Sequence, residues 1–248
     1  MQATYHRMYS PSLMRDMEVN VYGTQGKPCV VFPSQNGRYF DFESFDMIEP
    51  CRPWLEAGKL RLFCVDSIDR ETWSNREMPP RKRIERHELW FRYLTEEFYP
   101  WMMRTCGEGE MPFTIGCSMG ATHAANLFFR RPDLFDGLIS LSGTYDARLF
   151  FGDYMDELVY YNSPYQCLKN MCQEHPYIKL FNRSNIILCV GQGAWEKDML
   201  ESTRAMQRVF EEKGIHAWVD IWGSDVAHDW IWWRKQLHYF LEKILGEA

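Results

Sequence analysis

Short strand-like apolar runs alternate with longer segments of helical periodicity along most of the chain. The runs, typical of strands buried on both faces of a sheet, are 17–23, 28–32, 61–66, 112–116, 137–142, 185–191 and 217–222. Apolar residues at helical spacing mark segments 80–104, 118–130, 199–214 and 230–244. This alternation predicts a doubly wound, mostly parallel sheet of the α/β class.

One region interrupts the alternation. Residues 144–184 contain no clear strand and are rich in Tyr and Phe. A structureless loop of that length is uncommon in a compact domain unless it has a function. With no repeat or low-complexity linker elsewhere, we expect one domain over 1–248, with 144–184 as a short helical cap.

Composition narrows the function. The chain has 28 Lys and Arg against 34 Asp and Glu, a net charge of −6, which argues against a nucleic-acid partner. Aromatic residues make up 16% of the chain, which suits either a large core or an aromatic-lined pocket. We expect a small-molecule substrate, and the sequence does not decide between a monomer and a homo-oligomer.

The N-terminal residues and the cysteines bear on location. The first residues lack a basic start followed by an apolar run, so we expect no cleaved signal peptide. No apolar stretch approaches the length of a membrane helix, about 20 residues. The eight cysteines include no C-x-x-C pair, so we expect no metal site and reduced thiols in a cytoplasmic protein.

The strongest motif is Gly-Cys-Ser-Met-Gly at 116–120. It fits G-x-S-x-G, and it stands between a predicted strand and a predicted helix, as a nucleophile elbow requires. Flanking glycines permit the tight turn that presents the hydroxyl. Ser118 is therefore the predicted nucleophile, while Cys117 should point into the packing.

A serine needs an imidazole to activate it. Histidines that follow Ser118 are His123, His175, His216, His228 and His238. In α/β-hydrolases the chain order is nucleophile, acid, base. His228 lies in the loop after the last strand, where the base is needed, and we predict it as the base.

The acid should follow the preceding strand, 185–191. Glu196, Asp198 and Glu201 are candidates there, and Asp225 is close to His228 in sequence. Either carboxylate type can orient an imidazole. Glu196 is favoured because it stands directly beyond the strand end, and the others stay open.

Two backbone N–H groups should hold the oxyanion. One is that of Met119, directly after the nucleophile. The second should come from the loop after the strand at 28–32, where Ser34, Gln35 and Asn36 are candidates. We choose Gln35.

Three motifs together resemble the "putative esterase" branch of the α/β-hydrolases, which includes S-formylglutathione hydrolases (esterase D), feruloyl esterases and secreted mycolyltransferases. They are GCSMGA at 116–121, SLSG at 140–143 and HDWIWWRKQL at 228–237. The resemblance spans most of the chain from about Asn20. It places the acid a little over 30 residues before the base, which favours Glu196, although many relatives have Asp there. The oxyanion loop lacks the HG or DG dipeptide of several relatives.

These residues predict a cofactor-free serine carboxylesterase that acts through a Ser-His-Glu triad and an acyl-enzyme. Trp230, Tyr145 and Asp66 are the expected substrate contacts. An acyltransferase using the same triad, or a non-catalytic binding protein on this fold, stays an alternative.

Overall fold

A single mixed sheet of eight strands organises the chain. The computed structural model describes residues 1–107 and 109–247. The strands are β1 (Thr4–Ser10), β2 (Arg15–Tyr22), β3 (Lys27–Phe32), β4 (Leu60–Val65), β5 (Phe113–Cys117), β6 (Gly137–Leu141), β7 (Asn185–Val190) and β8 (Trp218–Ile221). Their order is β1-β2-β4-β3-β5-β6-β7-β8. β1–β2 and β2–β4 pair antiparallel, and the other neighbours pair parallel.

Helices cover both faces of the sheet. They are α1 (Asp41–Ser44), α2 (Arg52–Glu56), α3 (Pro80–Arg92), α4 (Tyr99–Cys106), α5 (Met119–Arg130), α6 (Arg148–Phe151), α7 (Glu157–Tyr161), α8 (Pro164–Asn170), α9 (Pro176–Phe181), α10 (Lys197–Lys213) and α11 (Trp230–Leu245). A π-helical segment, Tyr93–Phe98, joins α3 to α4. No helix in residues 1–107 or 109–247 combines the length and the apolar character needed to cross a membrane.

The predicted α/β sheet is confirmed. Each predicted apolar run overlaps one strand, and the four predicted helical segments overlap α3 with α4, α5, α10 and α11. Sequence reasoning missed β1, because its residues are mostly exposed or half-buried and form no apolar run. The segment 144–184 folds as four short helices, α6 to α9, between β6 and β7.

Two large apolar clusters fill the space on either side of the sheet. On one face, Val30, Phe32 and Leu188 of the strands pack with residues of α3, α5 and α10. On the other, Val31, Ile115 and Cys189 pack with residues of α2 and α11. Burial of alternate strand residues on both faces fixes the register of the sheet. The loops at the carboxyl ends of the parallel strands are thereby held at one edge.

A buried imidazole makes the stability of this packing depend on pH. His87 of α3 is 1% exposed and accepts a hydrogen bond at Nδ1 from Trp73 Nε1 at 2.9 Å. Burial, together with nearby His123 and Arg130, holds the pKa of His87 well below its ordinary value. The folded protein therefore keeps this ring neutral at a pH where the unfolded chain protonates it.

We predict that His87→Asn flattens the pH dependence of unfolding. The histidine contributes its full stabilisation above its unfolded pKa of about 6.5, and loses it as pH falls below that value. Asn retains an acceptor for Trp73 but does not titrate. Urea unfolding from about pH 7 to about pH 5 should show wild type losing more stability than the variant. Exposed His216→Asn is the control, and parallel curves for wild type and His87→Asn would contradict the assignment.

Candidate active site

Ser118 lies on a strained turn between β5 and α5. Its φ is 56° and its ψ −122°, a conformation costly for a residue with a side chain. Its N–H donates to the Leu141 carbonyl at 2.9 Å. A Cβ on Gly116 would stand 2.1 Å from the Gly120 carbonyl carbon, and one on Gly120 would stand 2.4 Å from the Phe32 carbonyl oxygen. A side chain at either position would clash with backbone atoms, so both residues must be glycine. The turn presents the hydroxyl of Ser118 above the sheet edge.

His228 reaches Ser118 from the loop between β8 and α11. Its Nε2 lies 2.9 Å from Ser118 Oγ. Its backbone N–H donates to the Ala194 carbonyl at 2.9 Å, and its ring packs edge-on against Trp233, with centroids 4.7 Å apart. The side chain is 18% exposed, so the ring is fixed by the protein and still open to a bound molecule.

Glu196 holds the opposite side of the imidazole. Its Oε2 lies 3.3 Å from His228 Nδ1, and its side chain is 1% exposed. Its Oε1 accepts a hydrogen bond from Ser142 Oγ at 2.6 Å, and Ser142 Oγ accepts one from Trp233 Nε1 at 3.0 Å. A buried carboxylate is tolerated only when it is paired and hydrogen-bonded, and these contacts meet that need.

Sequence reasoning did not assign a role to Ser142. It follows β6 directly, has a φ of 57° and is 1% exposed. The SLSG motif contains it, and that motif contributed to the family resemblance without a stated role. The sequence signal that could have indicated Ser142 is its position directly after a buried strand, two residues beyond Ser140.

The other acid candidates stand apart from the imidazole. Asp198 and Glu201, on the first turns of α10, line a cavity of about 530 Å³ between α10 and α6. Asp225 is exposed in the loop before His228. Within the described chain, His228 makes its carboxylate hydrogen bond with Glu196.

The oxyanion candidates Met119 and Gln35 both offer backbone N–H groups at this edge. Ser34 N–H donates to Asp41 Oδ2 at 2.8 Å, and Asn36 N–H donates to Asp69 Oδ2 at 3.2 Å. Among the described residues, the N–H groups of Gln35 and Met119 have no acceptor. The N–H groups on either side of Gln35 are occupied, and the N–H of Gln35 is therefore available to a ligand.

Of the three expected substrate contacts, Trp230 and Tyr145 lie in different surroundings. Trp230 starts α11, stacks on Phe45 with centroids 4.2 Å apart, and is partly buried. Tyr145 is 0% exposed, and its hydroxyl pairs with Ser140 Oγ at 2.8 Å within the core. The structure does not bring Tyr145 to the site, because its ring is buried in the core cluster on the α3, α5 and α10 face of the sheet.

Asp66 lies in a cavity of about 380 Å³ behind the oxyanion loop. Arg38 Nε donates to its Oδ1 at 2.6 Å. Burial raises the pKa of the Asp66 carboxyl, and the hydrogen bond and charge of Arg38 act against that rise. Its carboxylate is thus engaged within the protein.

Cys117 is excluded from the nucleophile's role by its surroundings. It is 1% exposed in the cluster on the α2–α11 face. Burial raises the pKa of its thiol well above the ordinary value, so the reactive thiolate is suppressed. All eight cysteines lie in the described part of the chain and are free thiols.

Most aromatic residues of 144–184 lie in two apolar clusters, and Tyr160 and the exposed Tyr161 belong to neither. Phe150, Phe151 and Tyr154 join a small cluster with Trp73 and Met119, next to the nucleophile turn. Others, such as Tyr145 and Phe181, belong to the main core.

Comparison with protein families places the chain. A family model described as "Putative esterase" matches residues 10–244. The chain belongs to this esterase family. No curated protein matches it in sequence.

Solved structures show that the esterase has the α/β-hydrolase fold. It is similar to a ferulic acid esterase, with a TM-score of 0.77 and 13% identity over 98% of each chain. It is also similar to MPT51 of Mycobacterium tuberculosis, with a TM-score of 0.71 and 16% identity over 99% of each chain. For an S-formylglutathione hydrolase from Staphylococcus aureus the TM-score is 0.70 and the identity 13%, over 98% of this chain and 96% of the other.

We predict that Ser142→Ala slows hydrolysis of p-nitrophenyl acetate by about 10-fold or more, since a hydrogen bond to a charged group contributes about 1.5–3 kcal/mol. The loss should fall on kcat, because Ser142 contacts the carboxylate rather than a substrate. Ser140→Ala is the matched control, since it removes an equally buried hydroxyl two residues earlier that bonds Tyr145 and the Ala121 carbonyl instead. Equal losses in the two variants would show that Ser142 acts only through packing.

Proposed function

We propose that the protein is a serine carboxylesterase that cleaves small-molecule esters through Ser118, His228 and Glu196. The observation that carries the proposal is the unbroken chain of contacts from Ser118 Oγ to His228 (2.9 Å) and from His228 to Glu196 (3.3 Å). Membership of the esterase family supports it.

Attack begins at the hydroxyl of Ser118. His228 Nε2 accepts the proton of Oγ as Oγ bonds to the ester carbonyl carbon. The carbonyl oxygen becomes an anion, and the N–H groups of Met119 and Gln35 are the proposed donors to it. The dipole at the start of α5 favours that negative charge.

Collapse of this intermediate gives an acyl-enzyme. The ester carbon–oxygen bond breaks, and the imidazolium of His228 returns its proton to the leaving alcohol oxygen. A water molecule then attacks the acyl carbon while His228 Nε2 takes a proton from the water. The bond between the acyl carbon and Ser118 Oγ breaks, His228 returns the proton to Oγ, and the carboxylic acid leaves. Because the hydroxyl, imidazole and carboxylate provide nucleophile, base and orienting group, the proposed reaction uses no cofactor.

Glu196 orients the ring and stabilises its charged form. With Oε2 beside Nδ1, the tautomer that carries hydrogen on Nδ1 leaves Nε2 free to accept the proton of Ser118. Ser142 occupies the other carboxylate oxygen, which prevents the carboxylate from rotating away.

We predict that a fluorophosphonate probe labels wild type and leaves Ser118→Ala unlabelled, because the probe bonds to an activated serine oxygen. Intact mass should rise by one probe adduct. Cys117→Ala is the control, and it should label like wild type. Equal labelling of wild type and Ser118→Ala would overturn the proposal.

The same proteins can distinguish hydrolysis from acyl transfer. Product analysis of p-nitrophenyl acetate turnover with a competing alcohol should show free acetate as the main product. Predominant transfer to the alcohol would assign the triad to an acyltransferase instead.

We predict that Glu196→Gln lowers kcat by roughly 100-fold or more, because the amide no longer enforces the productive tautomer. Glu201→Gln and Asp198→Asn are matched charge-neutral changes on the adjoining helix turns, and both should retain activity. If Glu201→Gln caused the larger loss, the acid would have to be reassigned.

A further inference from the structure

A second aspartate–histidine pair lies beside the proposed triad. Asp69 follows β4 and His123 lies on α5, and Asp69 Oδ1 accepts from His123 Nε2 at 2.8 Å. Their side chains are 2% and 0% exposed. A sealed imidazole cannot exchange a proton with a substrate, so this pair needs a different explanation from that of His228.

The other oxygen of Asp69 holds the oxyanion loop. Oδ2 accepts the N–H of Asn36 at 3.2 Å. Asn36 has a φ of 60°, a left-handed conformation that Asn tolerates better than most residues. Because Asp41 holds Ser34 from the other side, Gln35 is fixed between two anchored residues.

The imidazole of the pair is carried by the nucleophile helix. His123 lies five residues after Ser118 on α5, whose first N–H belongs to Met119. Asp69 therefore links the helix that carries one proposed oxyanion donor to the loop that carries the other. The distance between two such donors must be set before the reaction for the hole to be effective.

Aromatic rings make this link rigid. Trp90 and Trp73 meet the His123 ring edge-on, with centroids 5.0 and 5.9 Å away, and His87 stacks on it at 5.7 Å. A caged imidazole cannot change rotamer, so the carboxylate that it binds is fixed as well.

We propose that Asp69 and His123 form a positioning pair that sets the oxyanion hole by holding the 34–36 loop against α5. The inference rests on the proposed function, since it concerns the same serine chemistry. Neither residue touches a substrate, and both act through backbone N–H groups.

Kinetics of Asp69→Ala test the pair. Removing a donor from an oxyanion hole slows enzymes by about 100-fold or more, so we expect a kcat loss approaching that size with KM near its wild-type value. Affinity for a trifluoromethyl ketone, whose adduct with Ser118 carries an oxyanion, should fall in parallel with kcat/KM. The acid limb of the pH–rate profile should stay in place, because His228 and Glu196 are untouched.

Variants of His123 supply a second, milder test. In His123→Gln the side-chain amide can place an N–H where Nε2 stood, whereas His123→Leu fills the cage without a donor. Gln should retain most of the activity, and Leu should lose about 10-fold or more, as for loss of a hydrogen bond to a buried charge. Equal kcat values for Gln and Leu would overturn the proposal.

A matched control separates positioning from stability. Asp136→Asn weakens another ion pair, the half-buried Lys27–Asp136 pair at 2.7 Å, at the opposite edge of the sheet. It should lower the unfolding midpoint and leave the kcat of the folded protein intact. If Asp69→Ala likewise altered only stability, the positioning role would be wrong. A wild-type protein that hydrolyses no ester would instead refute the proposed function, which the probe and p-nitrophenyl acetate assays detect without any Asp69 variant.

Discussion

The site depends on one close approach, between the first turn of α5 and the backbone at the end of β3. Gly120 lies so near that a Cβ would stand 2.4 Å from the Phe32 carbonyl oxygen. This contact brings the backbone of Phe32 and Pro33, directly before the loop that contains Gln35, against the start of α5. A side chain at position 120 would push the two segments apart and so enlarge the proposed oxyanion hole. The strained turn presents the proposed nucleophile, Ser118, and the glycine contact positions the backbone N–H groups proposed to stabilise the oxyanion that its attack would form.

Burial then separates the roles of chemically similar groups. The structure contains two carboxylate–imidazole pairs at this edge, and each carboxylate is nearly inaccessible to solvent. The imidazole of His228 is 18% exposed and that of His123 is 0% exposed. The first can meet a substrate and exchange a proton. The imidazole of His123 is inaccessible to a substrate, so its hydrogen bond can act only by stabilising the structure of the protein. In the proposed mechanism Asp69 positions backbone N–H groups and Glu196 orients the imidazole of His228, so neither carboxylate itself reacts with the substrate.

The fold and the proposed triad were within reach of the sequence because both depend on order along the chain. Ser118, Glu196 and His228 each follow a strand, and parallel strands end at a common edge. The sequence pattern indicates no role for Ser142, and it suggests Asp69 as a residue lining the site rather than as a positioning group, since the partners of both side chains are not evident from the sequence. Trp233, which donates to Ser142, is 91 residues away. Tyr145 illustrates the converse, because its sequence position did suggest the site, while packing turned its ring into the core.

The burial of polar groups also explains where three of the tryptophans lie. A polar group that is buried away from water needs a hydrogen-bond donor whose side chain is itself largely apolar. Tryptophan supplies an N–H on a large apolar ring. Trp73 donates to His87, Trp90 to the Asp66 carbonyl and Trp233 to Ser142. Each of these rings also excludes solvent from the group that it serves. Aromatic rings therefore serve the buried polar network as well as the main core and the 144–184 cluster beside Met119.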